Sequence, residues 1–286
     1  MKDTNILLAG ATGYLGKYLL KELLEKKNQV IAIVRNPDKL QNSNENYLEI
    51  KQAEVTKPET LRDICKGINT VISTVGITKQ KDGLTYMDVD YRANMNLLEE
   101  AKKSGVAQFV YVSAINGDKY RDLKIFEAKE KFVAALKSSG LNYTIVRPNG
   151  FFSDMADFLQ IAKSGRVFLF GSGNQKFNPI HGADLARAIV DILDDDNKEL
   201  TIGGPDVLSL NDIAKLALTA LNKPIKIVHL PDWSRKLSIR CLRSFTSVKT
   251  YGPIEFFLTL MAEDNIAPTY GHEHLKDFYI EEAKNL

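Results

Sequence analysis

The sequence predicts an α/β protein with a doubly wound parallel sheet and a smaller C-terminal unit. Two observations carry this prediction. Short β-branched runs alternate with helical patterns through the first two-thirds of the chain, and the first strand leads directly into a glycine-rich turn and an amphipathic helix. Strands joined by helices pair in parallel. At 286 residues, the chain has room for one large domain or for a main domain with a smaller companion.

The predicted strands and helices alternate in chain order. β-Branched and aromatic runs predict strands at Ile6–Ala9, Val30–Val34, Tyr47–Ile50, Val71–Val75, Phe109–Ser113, Tyr143–Val146 and near Leu200–Ile202. Leucines at helical spacing predict a first helix through residues 15–24, and similar patterns predict helices over 88–104, 124–139 and 181–193.

The alternation is interrupted after Val146. An Arg-Pro-Asn-Gly segment at 147–150 precedes an aromatic-rich helix over 151–163 and a glycine-rich loop at 170–173. Ser209 is a typical N-cap for the helix that continues through 213–221, and a basic helix is predicted around 232–248. We expect residues 1–150 to form the main domain, to which 174–202 return. Residues 203–286 form a smaller substrate-binding region, to which 151–173 contribute.

Composition narrows the function classes. The 44% hydrophobic and 26% charged residues are the mixture of an ordinary globular protein, and a net charge of +2 gives no global attraction to nucleic acid. Two distant cysteines, Cys65 and Cys241, predict neither a disulfide framework nor a zinc site. The start of the chain is not typical of a signal peptide, and no apolar run is long enough to span a bilayer. We therefore expect a cytoplasmic protein.

Residues 5–27, NILLAGATGYLGKYLLKELLEKK, place three glycines at intervals of three between a strand and a helix. A strand that turns sharply into a helix, and lets a pyrophosphate approach the helix N-terminus, needs residues without a Cβ. Gly10, Gly13 and Gly16 supply these positions. The spacing GxxGxxG predicts a loop one residue longer than that of the simplest GxGxxG fingerprint. An ordinary strand-to-helix turn is the alternative, but the flanking strand and helix favour a dinucleotide site.

Arg35, after the second strand, points to the type of dinucleotide. An acidic residue there accepts hydrogen bonds from the adenosine ribose hydroxyls, whereas an arginine pairs with a 2′-phosphate. Arg35 therefore favours NADP over NAD, and Lys39 adds to the positive field. An ordinary solvated surface arginine is the alternative interpretation.

Several further motifs extend this pattern over most of the chain. They are KDGLTYMDVDYRANMNLLEEAKKSGVAQFVYVSA, FEAKEKFVAALKSSGLNYTIVRPNGFF, NPIHGADLARAIV and APTYGHEHLKDFY. With the glycine turn, they resemble the atypical, NmrA-like branch of the short-chain dehydrogenase/reductase superfamily, in particular its divinyl chlorophyllide reductase-like group. The resemblance implies a Rossmann-type sheet that binds NADP at the carboxyl ends of its strands. The substrate would lie between that sheet and a small C-terminal domain.

The resemblance also assigns the cofactor contacts. Thr12, Gly13, Tyr14, Leu15 and Gly16 would cradle the pyrophosphate, after Gly10. Arg35 would hold the 2′-phosphate, and Thr74, Val75 and Gly76 would pass beside the adenosine side. Lys129 would bind the nicotinamide ribose as the candidate catalytic residue, and Pro148, Asn149, Gly150 and Phe151 would contact the nicotinamide.

One position departs from the wider superfamily. Its standard arrangement has a tyrosine four residues before the lysine, where the cation lowers the tyrosine pKa and makes it an acid. Here that position is Ile125, although Ser113 and Lys129 remain; Tyr120, nine residues before Lys129, is not placed to replace the tyrosine. The atypical branch often lacks this tyrosine. Ordinary carbonyl reduction is therefore in doubt, whereas reduction of a conjugated double bond can take its proton from solvent or a substrate-domain group.

Other residues allow a structural as well as a functional interpretation. Lys129 is either the ribose-binding lysine or one more charge on a solvated helix, and His181 is expected to cap or pack rather than to act as an acid. The basic segment 235–249 is either a solvated face, a site for a carboxylate-bearing substrate or a peripheral membrane contact. The aromatic residues of the C-terminal region either line an apolar pocket or form that region's own core; they are Trp233, Phe245, Tyr251, Phe256 and Phe257.

Two functions follow from this pattern. The first is an NADPH-dependent oxidoreductase that reduces a conjugated double bond, or a related group, of an apolar small molecule. The second is a non-catalytic NADP-binding protein, a redox-sensing regulator or an assembly factor with a protein partner. No metal is expected in either.

Overall fold

The computed structural model describes residues 5–40, 46–80, 83–193 and 198–286. Residues 81 and 82, which begin one of the quoted motifs, lie outside the described residues, as do 194–197 in the segment predicted to return to the main domain. In chain order the strands are β1 (Asn5–Ala9), β2 (Gln29–Val34), β3 (Leu48–Gln52), β4 (Thr70–Ser73), β5 (Gln108–Val112), β6 (Asn142–Pro148), β7 (Val167–Phe170), β8 (Lys176–Phe177), β9 (Lys198–Ile202), β10 (Leu208–Ser209) and β11 (Ile227–Leu230).

The α-helices of the described residues, in the same order, are α1 (Tyr14–Glu25), α2 (Asn94–Lys103), α3 (Lys124–Lys137), α4 (Phe152–Ala162), α5 (Gly182–Asp191), α6 (Leu210–Ala220), α7 (Asp232–Phe245), α8 (Val248–Leu260) and α9 (Leu275–Ala283). A seven-residue π-helix, Met87–Ala93, leads directly into α2. The sequence predicted one continuous helix over this stretch.

The main sheet has the order β3-β2-β1-β4-β5-β6-β9. The pairs β1–β2, β2–β3, β1–β4, β4–β5 and β5–β6 are parallel. From β1 the chain winds first to β2 and β3, and then continues on the other side through β4, β5 and β6. This reversal leaves a crevice at the carboxyl ends of β1 and β4, where such folds bind ligands. The predicted doubly wound fold is confirmed.

The chain divides into two compact units. The first unit comprises the described residues of Met1–Ser113, Gly117–Arg147 and Leu185–Leu200. Its core packs helices against the sheet through fully buried side chains such as Leu7, Val71, Phe109, Phe132 and Leu136. These side chains come from strands with continuous apolar runs and from the apolar stripe of α3, as expected for a parallel sheet covered by helices.

The second unit comprises Ala114–Asn116, Pro148–Asp184 and Thr201–Leu286. Its core lies between α4, α6 and α9, with Phe152, Leu159, Ile213 and Tyr279 among the buried side chains. Two small sheets, a parallel β7–β11 pair and an antiparallel β8–β10 pair, belong to it. The predicted cap of α6 is confirmed, because Ser209 Oγ accepts the Asp212 N–H at 3.1 Å and the Asp212 carboxylate accepts the Ser209 N–H at 3.2 Å.

Two features explain parts of the quoted motifs. Asn178, fully buried, donates to the Ala267 and Gly204 carbonyls and accepts the Ala267 N–H at 2.9 Å. Asp184 on α5 accepts the N–H groups of His272 and Glu273, at 3.1 and 2.9 Å. Side chains of the NPIHGAD segment therefore bind backbone groups of the APTYGHEH segment within the second unit.

Candidate functional site

A cavity of about 300 Å³ lies in the first unit, at the carboxyl ends of β1, β2 and β4. Seven residues that the sequence analysis assigned to a cofactor line it together: Gly10, Thr12, Gly13, Arg35, Thr74, Val75 and Gly76. Its other lining residues are Ile33, Val34, Ala53, Glu54, Val55, Thr56, Ile77, Lys79, Leu84 and Val89. The lining thus combines a bare backbone turn, an apolar wall and a few charged groups at one edge.

The glycine turn is shaped by close backbone approach. Gly10 has φ +87°, and a Cβ on it would lie 2.4 Å from Thr74 Oγ1. Its carbonyl accepts the Gly13 N–H at 2.9 Å, which closes the turn. A Cβ on Gly16 would lie 2.0 Å from the Gly10 carbonyl oxygen, so Gly16 lets α1 pack on the turn. Gly13 is exposed, and a Cβ there would meet only the Gly10 oxygen, at 3.2 Å.

The N-terminus of α1 is suited to an anion. Gly13 is the N-cap and supplies no side-chain cap, and no acidic residue lies in the first turn. The first N–H groups of any helix lack intrahelical acceptors and carry the positive end of the helix dipole. Leu15 and Gly16 are buried against the fold, and the Tyr14 ring packs edge-on against Tyr18 at 5.4 Å. The glycine turn and this helix end therefore fit the diphosphate of a dinucleotide.

Charged groups lie at the other edge of the cavity. Arg35 follows β2, is exposed, and its carbonyl accepts the Gln52 side-chain N–H at 3.1 Å. Hydrogen bonds from Lys57 and Thr56 hold the pKa of Glu54 below its ordinary value, and the charge of Arg35 contributes to this shift. Because Lys57 pairs with the Glu54 carboxylate at 2.7 Å, part of that negative charge is balanced. Arg35 and Glu54 thus both line the cavity, and Lys57 pairs with Glu54.

The chain leaving β4 is fixed by α2. Asn94, fully buried, donates from its side-chain amide to the Val75 and Asp90 carbonyls, at 3.2 and 3.0 Å, and accepts the Ser73 hydroxyl at 2.6 Å. Ser73 Oγ in turn accepts the Val75 N–H at 3.3 Å. These contacts hold Thr74, Val75 and Gly76 against the cavity.

Lys129 is buried and paired, not solvated. Its Nζ lies 2.8 Å from Asp90 Oδ1, and the two side chains are 11% and 0% exposed. Burial by itself lowers the pKa of the Lys129 ammonium, but the charge and hydrogen bond of Asp90, together with the neighbouring Tyr111 hydroxyl, raise that pKa above its usual range. The Ile77 N–H donates to Asp90 Oδ2 at 3.2 Å. The alternative of one more charge on a solvated helix is therefore wrong.

The pair lies next to the cavity wall. A Cβ on Gly76 would lie 2.7 Å from Asp90 Oδ1 and 2.8 Å from Lys129 Nζ. Asp90 lies in the π-helix, a local distortion that often marks functional sites. Lys129 does not itself line the cavity, but it contacts the Gly76 segment that does.

Ser113 takes part in a buried ion network. Its hydroxyl donates to Glu130 Oε1 at 3.2 Å, and Arg147 grips the same carboxylate with two bonds of 2.6 and 2.9 Å. Arg147 Nε also donates to Glu199, at 2.9 Å, and Lys137 pairs with Glu199. The serine that remains from the standard reductase arrangement thus binds Glu130.

The missing tyrosine has no substitute in this arrangement. Ile125 is 4% exposed within the core, and Tyr120 stacks on Phe126 at 6.2 Å. The Tyr111 ring centroid lies 5.8 Å from Lys129 Nζ, but Tyr111 is fully buried and burial raises the pKa of its hydroxyl.

The predicted nicotinamide contacts belong to the second unit. Pro148 ends β6, and Gly150 and Phe151 precede α4. The Asn149 amide donates to Asn178 Oδ1 at 2.8 Å and to the Asn265 carbonyl at 2.7 Å. Because Asn149 Oδ1 accepts the Gly150 N–H at 2.9 Å, this side chain is occupied within its own unit.

His181 behaves as expected for capping and packing. Its Nδ1 accepts the Ala183 N–H at 3.4 Å in the first turn of α5, and its ring lies 5.4 Å from Phe152 and 6.4 Å from Phe278.

The aromatic residues of α7 are not part of a core. Trp233 is 65% exposed and Phe245 is 85% exposed, and α7 has no buried residue. These two side chains therefore do not line an enclosed pocket in their unit.

The described residues contain neither a metal-binding cluster nor a membrane-spanning helix. No group of three or more histidine, cysteine, aspartate or glutamate side chains is arranged to bind a metal ion there. No helix there has the length and apolar character needed to cross a bilayer.

Asp90 is one residue near this site that the sequence analysis did not assign, although the sequence carries a signal for it. At helical spacing, Asp90 lies on one stripe with Tyr86, Ala93 and Leu97, which are buried. Lys129 likewise lies on one stripe of its helix, between the buried residues Ile125 and Val133. A charge on a buried stripe is rare unless it is paired. Two such charges, one acidic and one basic, were the signal for this ion pair.

Comparisons with known proteins agree with this geometry. The model of the NAD(P)H-binding family matches residues 10–196. The chain is 28% identical over 320 residues to divinyl chlorophyllide a 8-vinyl-reductase of Arabidopsis thaliana, covering 97% of this chain and 76% of that protein. It is 25% identical over 248 residues to photosystem II assembly factor Ycf39 of Synechocystis sp., covering 84% and 74%.

A solved structure is similar over the full length. The NADPH-dependent quinone oxidoreductase QOR2 of Escherichia coli, complexed with NADPH, matches with a TM-score of 0.71 and 19% identity. The match covers 98% of this chain and 99% of that chain. At this identity the likeness shows a shared fold.

Proposed function

We propose, from the premise that this chain belongs to the NAD(P)H-binding family, that it is an NADPH-dependent oxidoreductase. The resemblance to the NmrA-like branch of the atypical short-chain dehydrogenase/reductases is confirmed by this membership and by the named relatives. The observation that carries the proposal is the presence of Arg35 on the same cavity as the glycine turn. One end of that cavity suits a diphosphate and the other end suits a 2′-phosphate.

Each cofactor contact in the proposal has a physical basis in this chain. The α1 N-terminus and the Gly10–Gly13 turn would bind the diphosphate, and Arg35 would bind the 2′-phosphate. Thr74, Val75 and Gly76, held by Asn94, would contact the adenosine side. Lys129, oriented by Asp90, would hydrogen-bond the nicotinamide ribose, and residues 148–151 would contact the nicotinamide.

The side chains present favour reduction of a polarised carbon–carbon double bond. NADPH, when bound, supplies a hydride. Ile125 replaces the usual tyrosine acid, so this position has no proton to give to a carbonyl oxygen. A conjugated double bond can instead take its proton from solvent or from a group near the substrate, and positioning then does most of the work. The vinyl reductase named above performs a reaction of this class, which supports an apolar, conjugated substrate.

A non-catalytic role is the second candidate. Ser113 is bonded to Glu130, and Ile125 stands where the standard arrangement has its tyrosine acid. The similarity to a named assembly factor supports an NADP-binding regulator or assembly factor that acts through a protein partner. In this case NADPH binding would stabilise one conformation without turnover.

Turnover separates the two candidates. NADPH oxidation is followed at 340 nm with a panel of quinones, enones and vinyl-substituted aromatic or tetrapyrrole compounds. The enzyme proposal predicts substrate-dependent oxidation that is lost in Gly13→Val, because the added side chain would occupy the diphosphate cradle, with its Cβ 3.2 Å from the Gly10 oxygen. Lys21→Ala, on the exposed side of α1, is the matched control and retains activity.

The opposite result is equally informative. Saturable NADPH binding without oxidation of any compound on the panel, together with a co-purifying protein partner, would replace the enzyme by the regulator. Activity that survives in Gly13→Val at the wild-type level would remove the glycine turn from the mechanism.

A further inference from the structure

The α7 helix exposes apolar residues that the second unit does not cover. None of its fourteen residues is buried. Its large apolar side chains are among the exposed ones: Trp233 is 65% exposed, Leu237 is 51% exposed and Phe245 is 85% exposed. Cys241 is exposed as well. These four residues follow one another at intervals of four, so they form one continuous stripe along the helix. We call them the α7 apolar stripe.

The contacts of α7 with α8 show which way this stripe faces. Arg235 Nη1 donates to the Leu258 carbonyl at 3.3 Å, and Arg243 pairs with the buried carboxylate of Glu255. At about 100° per residue, Arg235 and Arg243 mark the side of α7 that faces α8. The α7 apolar stripe lies on the opposite side of the helix, away from α8.

Cations flank the stripe. Lys236 and Arg240 are exposed and lie one turn apart on the sector next to Trp233 and Leu237. From 232 to 249 the chain carries five basic residues and one acidic residue, a local charge of +4 in a protein of total charge +2. The remaining sequence is thus slightly acidic. Arg235 and Arg243 face α8 and pair with Asp232 and Glu255, so Lys236 and Arg240 are the cations of α7 that lie beside the apolar stripe.

We propose that the α7 apolar stripe is a docking surface for a lipid bilayer that contains anionic headgroups. An amphipathic helix with tryptophan, leucine and phenylalanine on one face and lysine and arginine beside them lies in the interface of a bilayer. The apolar side chains enter the boundary between headgroups and acyl chains, and the cations contact the phosphates. This contact holds the protein at the surface of the bilayer.

The charge pattern favours a lipid surface over a protein groove. A groove that receives one helix covers the apolar face and leaves the flanking cations in water, so it does not require positive charge. A planar anionic surface contacts the apolar stripe and the adjacent cations together, which is the arrangement that α7 presents.

The chain carries its own probe for this contact. Trp233 is the only tryptophan in the sequence and lies at the start of the stripe. Its emission is recorded while vesicles are added to the full chain without cofactor. One vesicle type is phosphatidylcholine alone, and the other contains phosphatidylcholine and phosphatidylglycerol in equal amounts. We expect a blue shift and co-sedimentation with the anionic vesicles, little change with the neutral ones, and release at high salt.

Two variants test the two parts of the surface. Lys236→Glu/Arg240→Glu should weaken binding by about 30-fold or more, because each cation near an anionic bilayer contributes about 1 kcal/mol. Lys163→Glu/Lys223→Glu makes the same charge change at exposed positions outside α7 and should bind almost as the wild type does. Leu237→Ser/Phe245→Ser keeps the cations and should abolish the blue shift. Because these side chains are not buried, circular dichroism and the melting temperature should stay unchanged.

Three results would overturn the proposal. The first is no spectral shift or co-sedimentation with anionic vesicles at any lipid concentration that saturates known amphipathic helices. The second is equal weakening by the α7 charge pair and its control, which would show only a general charge effect. The third is concentration-dependent dimerisation that shifts the Trp233 emission without lipid, which would assign the stripe to a second copy of this chain. None of these results depends on NADPH, so they leave the proposed function untouched.

Discussion

Helices α3 and α7 have the same length and a similar composition, but their surroundings differ completely. Each has fourteen residues with apolar side chains at helical spacing and four basic residues. Eight residues of α3 are buried, and two of them, Lys129 and Glu130, are ionisable. No residue of α7 is buried. The α3 helix buries two of its charged side chains, whereas the α7 helix leaves a stripe of apolar side chains exposed.

The difference shows that amphipathicity alone does not determine which face of a helix is covered. The α3 helix packs against a sheet and against the π-helix, and each buried charge meets an opposite charge: Lys129 meets Asp90, and Glu130 meets Arg147. The α7 helix packs against α8 through two arginines, so its apolar stripe faces away. Positioning of a cofactor and docking to a surface are the functions that we assign to these two arrangements.

The largest effect is expected from breaking the buried pair of α3. Asp90→Asn keeps an acceptor for the Ile77 N–H but leaves the Lys129 ammonium buried without its counter-charge, which should cost about 3–5 kcal/mol of unfolding free energy. The loss is measured by urea denaturation. The loss of unfolding free energy should become smaller at high pH. An unpaired buried lysine has a lowered pKa, so the folded variant regains stability as the ammonium deprotonates.

The control for this prediction lies on the same helix. Lys124→Met removes an exposed cation that pairs with Glu127, and surface pairs of this kind contribute about 0–1 kcal/mol. The double variant Asp90→Asn/Lys129→Met should be more stable than Asp90→Asn alone, because no uncompensated charge remains. Equal stability of Asp90→Asn and Lys124→Met would contradict the buried pair.

The next effect comes from steric crowding at the start of α1. Replacing glycine by alanine inside a helix normally stabilises the helix by about 1 kcal/mol. Gly16→Ala should nevertheless destabilise the protein by about 3 kcal/mol, because its Cβ would lie 2.0 Å from the Gly10 carbonyl oxygen. Thermal unfolding tests this result. Ser238→Ala on α7, where no residue is buried, should change stability by less than about 0.5 kcal/mol.

The smallest effect is a difference in reactivity between the two cysteine thiols, which leaves the fold unchanged. Cys65 is fully buried in the first unit, and burial raises the pKa of its thiol to about 12. Cys241 is exposed on α7. A thiol-specific chromogenic disulfide at pH 8 should therefore modify one thiol in the native protein and two after denaturation. Modification of both thiols at similar rates in the native state would show that the first unit opens. Protection of Cys241 without lipid would show that α7 is already covered.

Much of the first unit follows from local sequence. The strands of the sheet, the glycine turn and α1 were predictable because each depends on neighbouring residues: apolar runs, glycine spacing and a leucine stripe. Ser209 as the cap of α6 was predictable for the same reason, since its partner Asp212 lies three residues away.

Features that depend on distant contacts were not predicted. Asp90 and Lys129 are 39 positions apart, and only the fold brings them together. The short strands β7 and β11 pair across about 60 residues, and neither has enough residues for a periodic pattern. The exposure of α7 depends on its contact with α8, which the α7 sequence does not contain.

Calorimetric titration with NADPH and NADH tests the central claim that the glycine turn and Arg35 form a dinucleotide site. We expect one saturable site with tighter binding of NADPH than of NADH. In Arg35→Ala, NADPH binding should weaken by about 1–3 kcal/mol while NADH binding changes little, because a charge-assisted bond to the 2′-phosphate is lost. Absence of heat with either dinucleotide would contradict the site itself, and equal losses for both in Arg35→Ala would contradict the preference for NADPH.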